Sequence, residues 1–138
     1  MTTSPTLEDL SGRTALVTGA TSDIGAATAR ALARRGADLV IHGHANVEAL
    51  TTLGEEIADL GRRTVTVQAD LALCDEARRV AHVALAFAPI DILVNNAGHI
   101  VKRVPWTELE PDHLDRVFGL NFRAPLYLSV NVYKAFPH

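Results

Sequence analysis

Four short aliphatic runs limit what this chain can fold into: RTALVTG (13–19), DLVIHG (38–43), RTVTVQAD (63–70) and IDILVNNAG (90–98). Their length and their Val, Ile, Leu and Thr content predict buried strands. Helical periodicity fills the intervals. In DIGAATARALARRG (23–36), Ile24, Ala27, Ala31 and Leu32 fall on one face, with Arg30 and Arg34 off it and Gly36 as the stop. Leu50, Leu53, Ile57 and Leu60 give a second inward stripe closed by Gly61. Ala77, Val80, Ala84 and Phe87 give a third, ended before Pro89. Near-continuous aliphatic strands alternating with amphipathic helices predict an α/β fold, a parallel sheet covered on both faces. Right-handed crossovers favour the strand order 3-2-1-4, with a crevice between strands 1 and 4.

After the fourth run, VPWTELEPDHLDRVFGLNFRAPLYLSVNVYKAF predicts a short helical turn and then a long helix from about Pro111. Leu114, Val117, Phe118, Phe122 and Leu126 are expected as its buried stripe. No linker or low-complexity segment divides the chain, so residues 1–12 read as a flexible N-terminus and 13–138 as one domain. A hydrophobic content of 48% with only 5% aromatics suits helices packed on an aliphatic sheet. The net charge of −3 argues against a nucleic-acid partner, and Arg34-Arg35 and Arg62-Arg63 read as solvated pairs. The single cysteine, Cys74, fits a reducing compartment and reads as a small residue at a helix start. The stretch MTTSPTLEDLSGR has no apolar signal core, and no run approaches the ~20 apolar residues of a membrane span. The expectation is a soluble, cytoplasmic protein with no membrane partner.

Gly19 and Gly25 place a glycine-containing turn between strand 1 and the first helix. Backbone N–H groups and a helix N-terminus then meet at the crevice, where a pyrophosphate is favoured; such turns also occur for packing alone. Asp23 adds a carboxylate near the bend. At the first turn of a helix it stabilises the N-terminus by ~0.3–1 kcal/mol, and it is expected to point outward.

TGATSDIG (18–25), Asp70 at the close of strand 3, NNAG (95–98) and Asn121 in the long helix occur in order on the predicted elements. Together they resemble the short-chain dehydrogenase/reductase family over nearly the whole chain. The resemblance implies a Rossmann-like, three-layer dinucleotide-binding domain. It assigns Thr18, Gly19, Thr21, Ser22, Asp23, Ile24 and Gly25 to the cofactor turn. Asp70 and Leu71 fall at the adenine, and Asn96, Ala97 and Gly98 beside the cofactor. Asn121 matches the asparagine of the family's catalytic tetrad. His99 would lie near the nicotinamide; a structural turn residue is the equal alternative.

Cofactor choice is read about 20 positions after the glycine turn. No acid stands at Gly43, and His44 falls where NADP-preferring relatives often carry arginine, so NADP(H) is favoured over NAD(H). His42 and His44 share a strand face, but two imidazoles without a third ligand make a poor metal site. Pro125 has no N–H to bond the carbonyl of Asn121, so that carbonyl is expected to be freed at a kink. In the resemblance, this carbonyl holds a water in the proton relay.

The resemblance also implies a serine and a Tyr-x-x-x-Lys pair, which pass a proton while hydride moves. Four residues beyond Tyr127 is Asn131, and four beyond Tyr133 is Pro137. Lys134 is adjacent to Tyr133, and adjacent helix residues point apart. Ser129 lies on the Asn121 helix. The chain is therefore read as the cofactor-binding half of a carbonyl or alcohol oxidoreductase, inactive alone and lacking a fifth strand and substrate pocket. The alternatives are a non-catalytic dinucleotide-binding module or a fragment that pairs with another chain. An exposed fourth strand and the long helix would invite association or aggregation. NNAGHIVKRVPW resembles 3-oxoacyl-carrier-protein reductases, and equally sugar and steroid relatives, so the substrate stays open.

Overall fold

Strands β1 (Thr14–Val17) and β2 (Asp38–Gly43) are buried at every position, which is why neither alternates polar with apolar residues. A computed structural model describes residues 9–137. It adds α1 (Asp23–Arg34), α2 (Val47–Asp59), β3 (Thr64–Gln68), α3 (Cys74–Phe87) and β4 (Ile92–Val94). A 3₁₀ turn at Trp106–Glu108 precedes α4 (Pro111–Phe118), a π turn (Gly119–Arg123) and α5 (Ala124–Ala135). The sheet is parallel throughout, in the order β3-β2-β1-β4. This is the Rossmann-like α/β arrangement the alternation predicts.

The two-residue period of a strand divides the core between the faces of the sheet. Ala15 and Val17 join α1 and α2 residues Ala29, Ala33, Leu50, Leu53 and Ile57. Leu16 on the opposite face joins Val80 and Ala84 of α3 with Leu128 and Val132 of α5. Each fully buried Leu, Ile or Val contributes about 1.5–3 kcal/mol, so the α2 stripe Leu50, Leu53, Ile57 is a principal anchor of its layer.

Several expectations are corrected. In α1 the buried residues are Gly25, Ala29 and Ala33, whereas Ile24, Ala27 and Ala31 face solvent and Leu32 is only half-buried. An Ala-rich helix offers little contrast between faces, and its smallest residues allow the closest approach to the sheet. Leu60 is exposed because α2 has ended before it. The fourth strand is only Ile92–Val94; Asn95–Gly98 leave the sheet and run along the mouth of the crevice. Among the described residues β4 pairs with β1 alone and is an edge. Of the N-terminal stretch, residues 1–8 lie outside the described residues, while the Leu10 N–H donates to the Arg35 carbonyl at 2.8 Å.

The largest correction concerns the C-terminal helical region. Phe118 and Phe122 are 63% and 64% exposed, Leu114 and Leu126 are exposed too, and Val117 is half-buried. Gly119, Ala124, Leu128 and Val132 are buried instead. The helix is not uniformly α: the Ala124 N–H reaches the Gly119 carbonyl, an i→i−5 bond. This π turn adds a residue and rotates the faces before and after it relative to each other. It lies immediately before Pro125, which has no N–H. Carbonyls therefore outnumber available N–H groups over residues 120–122, which leaves a spared acceptor near Asn121.

The Arg62-Arg63 pair is also not merely solvated. Asp38, buried at the start of β2, accepts from Arg62 Nη2 at 3.0 Å, the Arg63 N–H at 3.0 Å and Arg63 Nε at 2.9 Å. The Arg63 guanidinium also lies 5.0 Å from the Phe87 ring centre. Burial alone would raise the Asp38 carboxyl, but hydrogen bonds from Arg62 and Arg63 outweigh it and hold it below the usual range. A depressed folded-state value makes this contribution present above the unfolded pKa of about 4 and lost as pH falls through the folded value. Asp38→Asn is expected to lower stability by about 1–2 kcal/mol at neutral pH, discounted for the exposed Arg63, and to flatten the acid limb. Urea denaturation from neutral to acidic pH checks both.

Candidate dinucleotide site

The site forms where β1 ends and the chain must turn within a few residues into α1. Thr18 is buried, and its hydroxyl accepts from the N–H groups of Asn96 (3.1 Å) and Ala97 (3.0 Å). One side chain thus ties the end of β1 to the segment after β4. Gly19 follows at φ +63°, a conformation that favours glycine. A Cβ there would stand 2.9 Å from the Ala97 Cα, so the two segments can meet only without a side chain. Gly25 has a similar role on the helix: a Cβ would collide with the Gly19 carbonyl oxygen and stand 2.7 Å from Asn96 Nδ2. That nitrogen donates toward the Thr18 carbonyl (3.1 Å), the Gly19 carbonyl (2.9 Å) and Ser22 Oγ (3.1 Å).

Ser22 caps α1, its hydroxyl accepting from the Gly25 N–H at 3.1 Å. Asp23 and Ile24 occupy the first two helical positions, whose N–H groups have no acceptor within the helix. Free donors and the helix dipole at such a terminus favour negative charge. Ile24 is 73% exposed beside them. Asp23 is also exposed and stands outside the cavity lining.

A cavity of about 300 Å³ opens in front of this turn. Gly19, Thr21 and Ser22 form one wall. Asn96, Ala97, Gly98 and His99 run along the β4 side, and His44, Asp70 and Leu71 lie at the other end. Thr18, Gly25 and Asn121 do not line it; they act from behind. Asn121 clamps the main chain of His99, accepting its N–H at 3.1 Å and donating to its carbonyl at 2.8 Å. It also donates to the Val117 carbonyl at 2.9 Å. Ser129 bonds the Pro125 carbonyl at 2.7 Å and receives Asn95 Nδ2 at 3.1 Å, a structural use of that hydroxyl.

Asp70 lies two residues past β3 and is held from both sides. Its Oδ1 accepts the Ala72 N–H at 3.0 Å, and its Oδ2 accepts Arg116 Nη2 at 2.9 Å, with His44 Nε2 at 3.9 Å. Burial would raise its carboxyl, but Arg116 and the Ala72 N–H more than offset this and lower it. Sequence reasoning missed Arg116, whose place in an amphipathic helix looks like an ordinary solvated charge. It also passed over the place of His42, which is buried in the cavity wall within hydrogen-bond distance of Gly19.

The sequence profile described as short chain dehydrogenase matches residues 13–138. The chain belongs to this family. A hydroxynaphthalene reductase-like protein Arp2 from Metarhizium anisopliae is 39% identical over 129 residues, covering 93% of this chain and 48% of that protein. Among solved structures, a blue fluorescent protein from a metagenomic library, in complex with NADPH, superposes with a TM-score of 0.88 at 34% identity. The match covers 94% of this chain and 53% of that one. A short chain dehydrogenase from Burkholderia cenocepacia J2315, in complex with NADP, gives 0.84 at 38% identity, covering 92% of this chain and 52% of its own. The chain spans about half the length of the relatives it matches. For a short-chain dehydrogenase, the Thr18–Gly19–Asn96 junction is the part of the fold that shapes the crevice. Thr18→Val keeps the volume but leaves two N–H groups without their acceptor, and should destabilise the chain by about 1–3 kcal/mol. Thr18→Ser should stay near the parent in the same chemical denaturation series.

Proposed function

We propose that residues 13–138 form the dinucleotide-binding half of an NADP(H)-dependent oxidoreductase of C=O and CH–OH groups. The observation that carries this reading is the cavity at the end of β1, lined by Gly19, Thr21 and the α1 cap Ser22 on one side and by Asn96, Ala97 and Gly98 on the other. The Asp23 and Ile24 N–H groups would hold the pyrophosphate, and Gly19, Thr21 and Ser22 would shape the wall it lies against. Asp70 and Leu71 would flank the adenine; Asn96, Ala97, Gly98 and His99 would lie along the nicotinamide half. Bound nicotinamide supplies or accepts a hydride. Asn121, through its clamp on His99, would position the loop beside it and serve as this half's member of the proton relay.

Two observations support NADP(H) over NAD(H). Gly43 offers no carboxylate to a ribose hydroxyl, and the half-exposed His44 can donate to a 2′-phosphate at the rim. The relatives described above were solved with NADPH and NADP. With no Tyr-x-x-x-Lys pair among its residues, the 138-residue chain binds cofactor without turning over a carbonyl substrate. Fluorescence titration should therefore show micromolar NADPH binding, tighter than NADH. His44→Ala should weaken NADPH by about fivefold, with NADH little changed. No binding of either nucleotide would reject the reading, and NADPH-dependent carbonyl reduction abolished by Asn121→Ala would reject the inactivity.

The exposed stripe Leu114, Phe118, Phe122 and Leu126 supports a second reading, that a second copy of the chain covers this face. Sedimentation should then show a concentration-dependent dimer. Phe118→Glu combined with Phe122→Glu should return it to monomer, and a parent monomeric at every concentration would exclude this pairing.

A further inference from the structure

An imidazole is an unexpected choice for the middle of an aliphatic strand, yet His42 is 2% exposed between Ile41 and Gly43. A buried ring needs partners for both nitrogens. Here the partners also decide which nitrogen carries the proton. Nδ1 stands 3.1 Å from the Gly19 nitrogen, whose N–H can only donate, so Nδ1 accepts. Nε2 stands 2.9 Å from the Ala69 carbonyl oxygen, which can only accept, so Nε2–H donates. The carbonyl of His42 also accepts the Ala20 N–H at 2.8 Å. One residue of β2 thus holds two successive N–H groups of the turn, while its ring also grips the residue preceding Asp70.

We propose that His42 is a positioning residue for the dinucleotide site. As the neutral Nε2–H tautomer it turns the Gly19 N–H back toward β2, leaving the phosphate to the Asp23 and Ile24 N–H groups. The same ring ties the turn to the Ala69–Asp70 segment, so the pyrophosphate and adenine ends of the cavity share one strut. This inference rests on the cofactor-site reading above. A purely structural histidine would matter for stability alone, with no separate effect on the turn.

A second ring proton would set Nδ1–H against the Gly19 N–H, two donors facing each other. The charged or titratable groups around the ring are His44 just after β2, Asp70 after β3 and Arg79 on α3. Burial pushes His42 below the usual histidine range; the Ala69 hydrogen bond opposes this, His44 and Arg79 reinforce it, and Asp70 opposes it. The depressed folded value means that the neutral strut is intact above the unfolded pKa and fails as pH falls through the folded one.

The test uses the full chain, nitrogen-15 labelled. Long-range proton–nitrogen correlations read the His42 tautomer, and the Gly19 amide is followed by shift and hydrogen exchange from about pH 7.5 to 5. NADPH titrations run in parallel on the parent, on His42→Phe, and on His42→Asn, whose amide oxygen can take the place of Nδ1. Expected are the Nε2–H tautomer and a Gly19 amide that titrates with the ring. NADPH binding should be weakened about tenfold in the Phe variant and restored to within about threefold in the Asn variant, with a flatter pH dependence. An Nδ1–H tautomer, a Gly19 amide indifferent to the ring, or a Phe variant that binds like the parent would overturn the proposal. Should the parent bind no NADPH, the proposed function fails, while the tautomer and the Gly19 amide still decide the role of His42. Should the Phe variant not fold, the parent spectra and the Asn variant decide it.

Discussion

Nearly every part of the cavity meets at the peptide of Gly19. β1 delivers it, β2 receives its N–H through His42, and the segment after β4 takes its carbonyl through Asn96. Ser22 at the start of α1 uses the same carbonyl, through both its N–H and its hydroxyl. Such convergence requires atoms of different elements to approach within van der Waals distance, and the absence of Cβ atoms at Gly19 and Gly25 permits it. The energetic point is polar satisfaction. A tight turn at the end of a buried strand strips several amides of water, and each one left unpaired would cost about 1–3 kcal/mol. Thr18, Asn96 and His42 meet that demand for the turn itself, and Ser22 caps the start of α1.

A second junction holds the opposite end. The backbone at Gly119 approaches the Ala72 carbonyl, where a Cβ would stand 2.6 Å away, and Arg123 Nη2 donates to the same carbonyl at 2.6 Å. Arg116 from the preceding turn pairs with Asp70. The irregular helical segment is therefore docked on the loop after β3, and from there Asn121 reaches His99. This docking links the two ends of the site mechanically. It also accounts for the π turn: one extra residue allows Gly119 to face Ala72 while Leu128 and Val132 still face the core.

The layer order, the parallel sheet and the strand sequence were legible because burial on both faces forces long aliphatic runs, which little else in a chain of this size produces. The turn was legible because glycine spacing reports a backbone shape directly. Helix faces were less so. Ala27 and Ala31 are indistinguishable by type from Ala29 and Ala33, and only contact with the sheet separates them. The Leu114 to Leu126 stripe failed for a different reason: its spacing marks an apolar face, and only contact with the rest of the core decides that Ala124, Leu128 and Val132 form the buried one. Arg116 and His42 escaped notice because neither has a local signature, their partners lying 46 and 23 residues away in sequence.

By itself, then, the sequence determined the architecture, the position of the crevice and the residue types that could turn a strand into an anion-facing helix. These follow from local propensity and short-range spacing, which act before any long-range contact forms. Only the tertiary structure decided which donors stay free, which carboxylate is clamped, which apolar stripe is left uncovered and which nitrogen of a buried imidazole bears the proton. Those outcomes depend on partners brought together by the sheet, and hydrogen-bond satisfaction is settled between neighbours in space rather than neighbours in the chain.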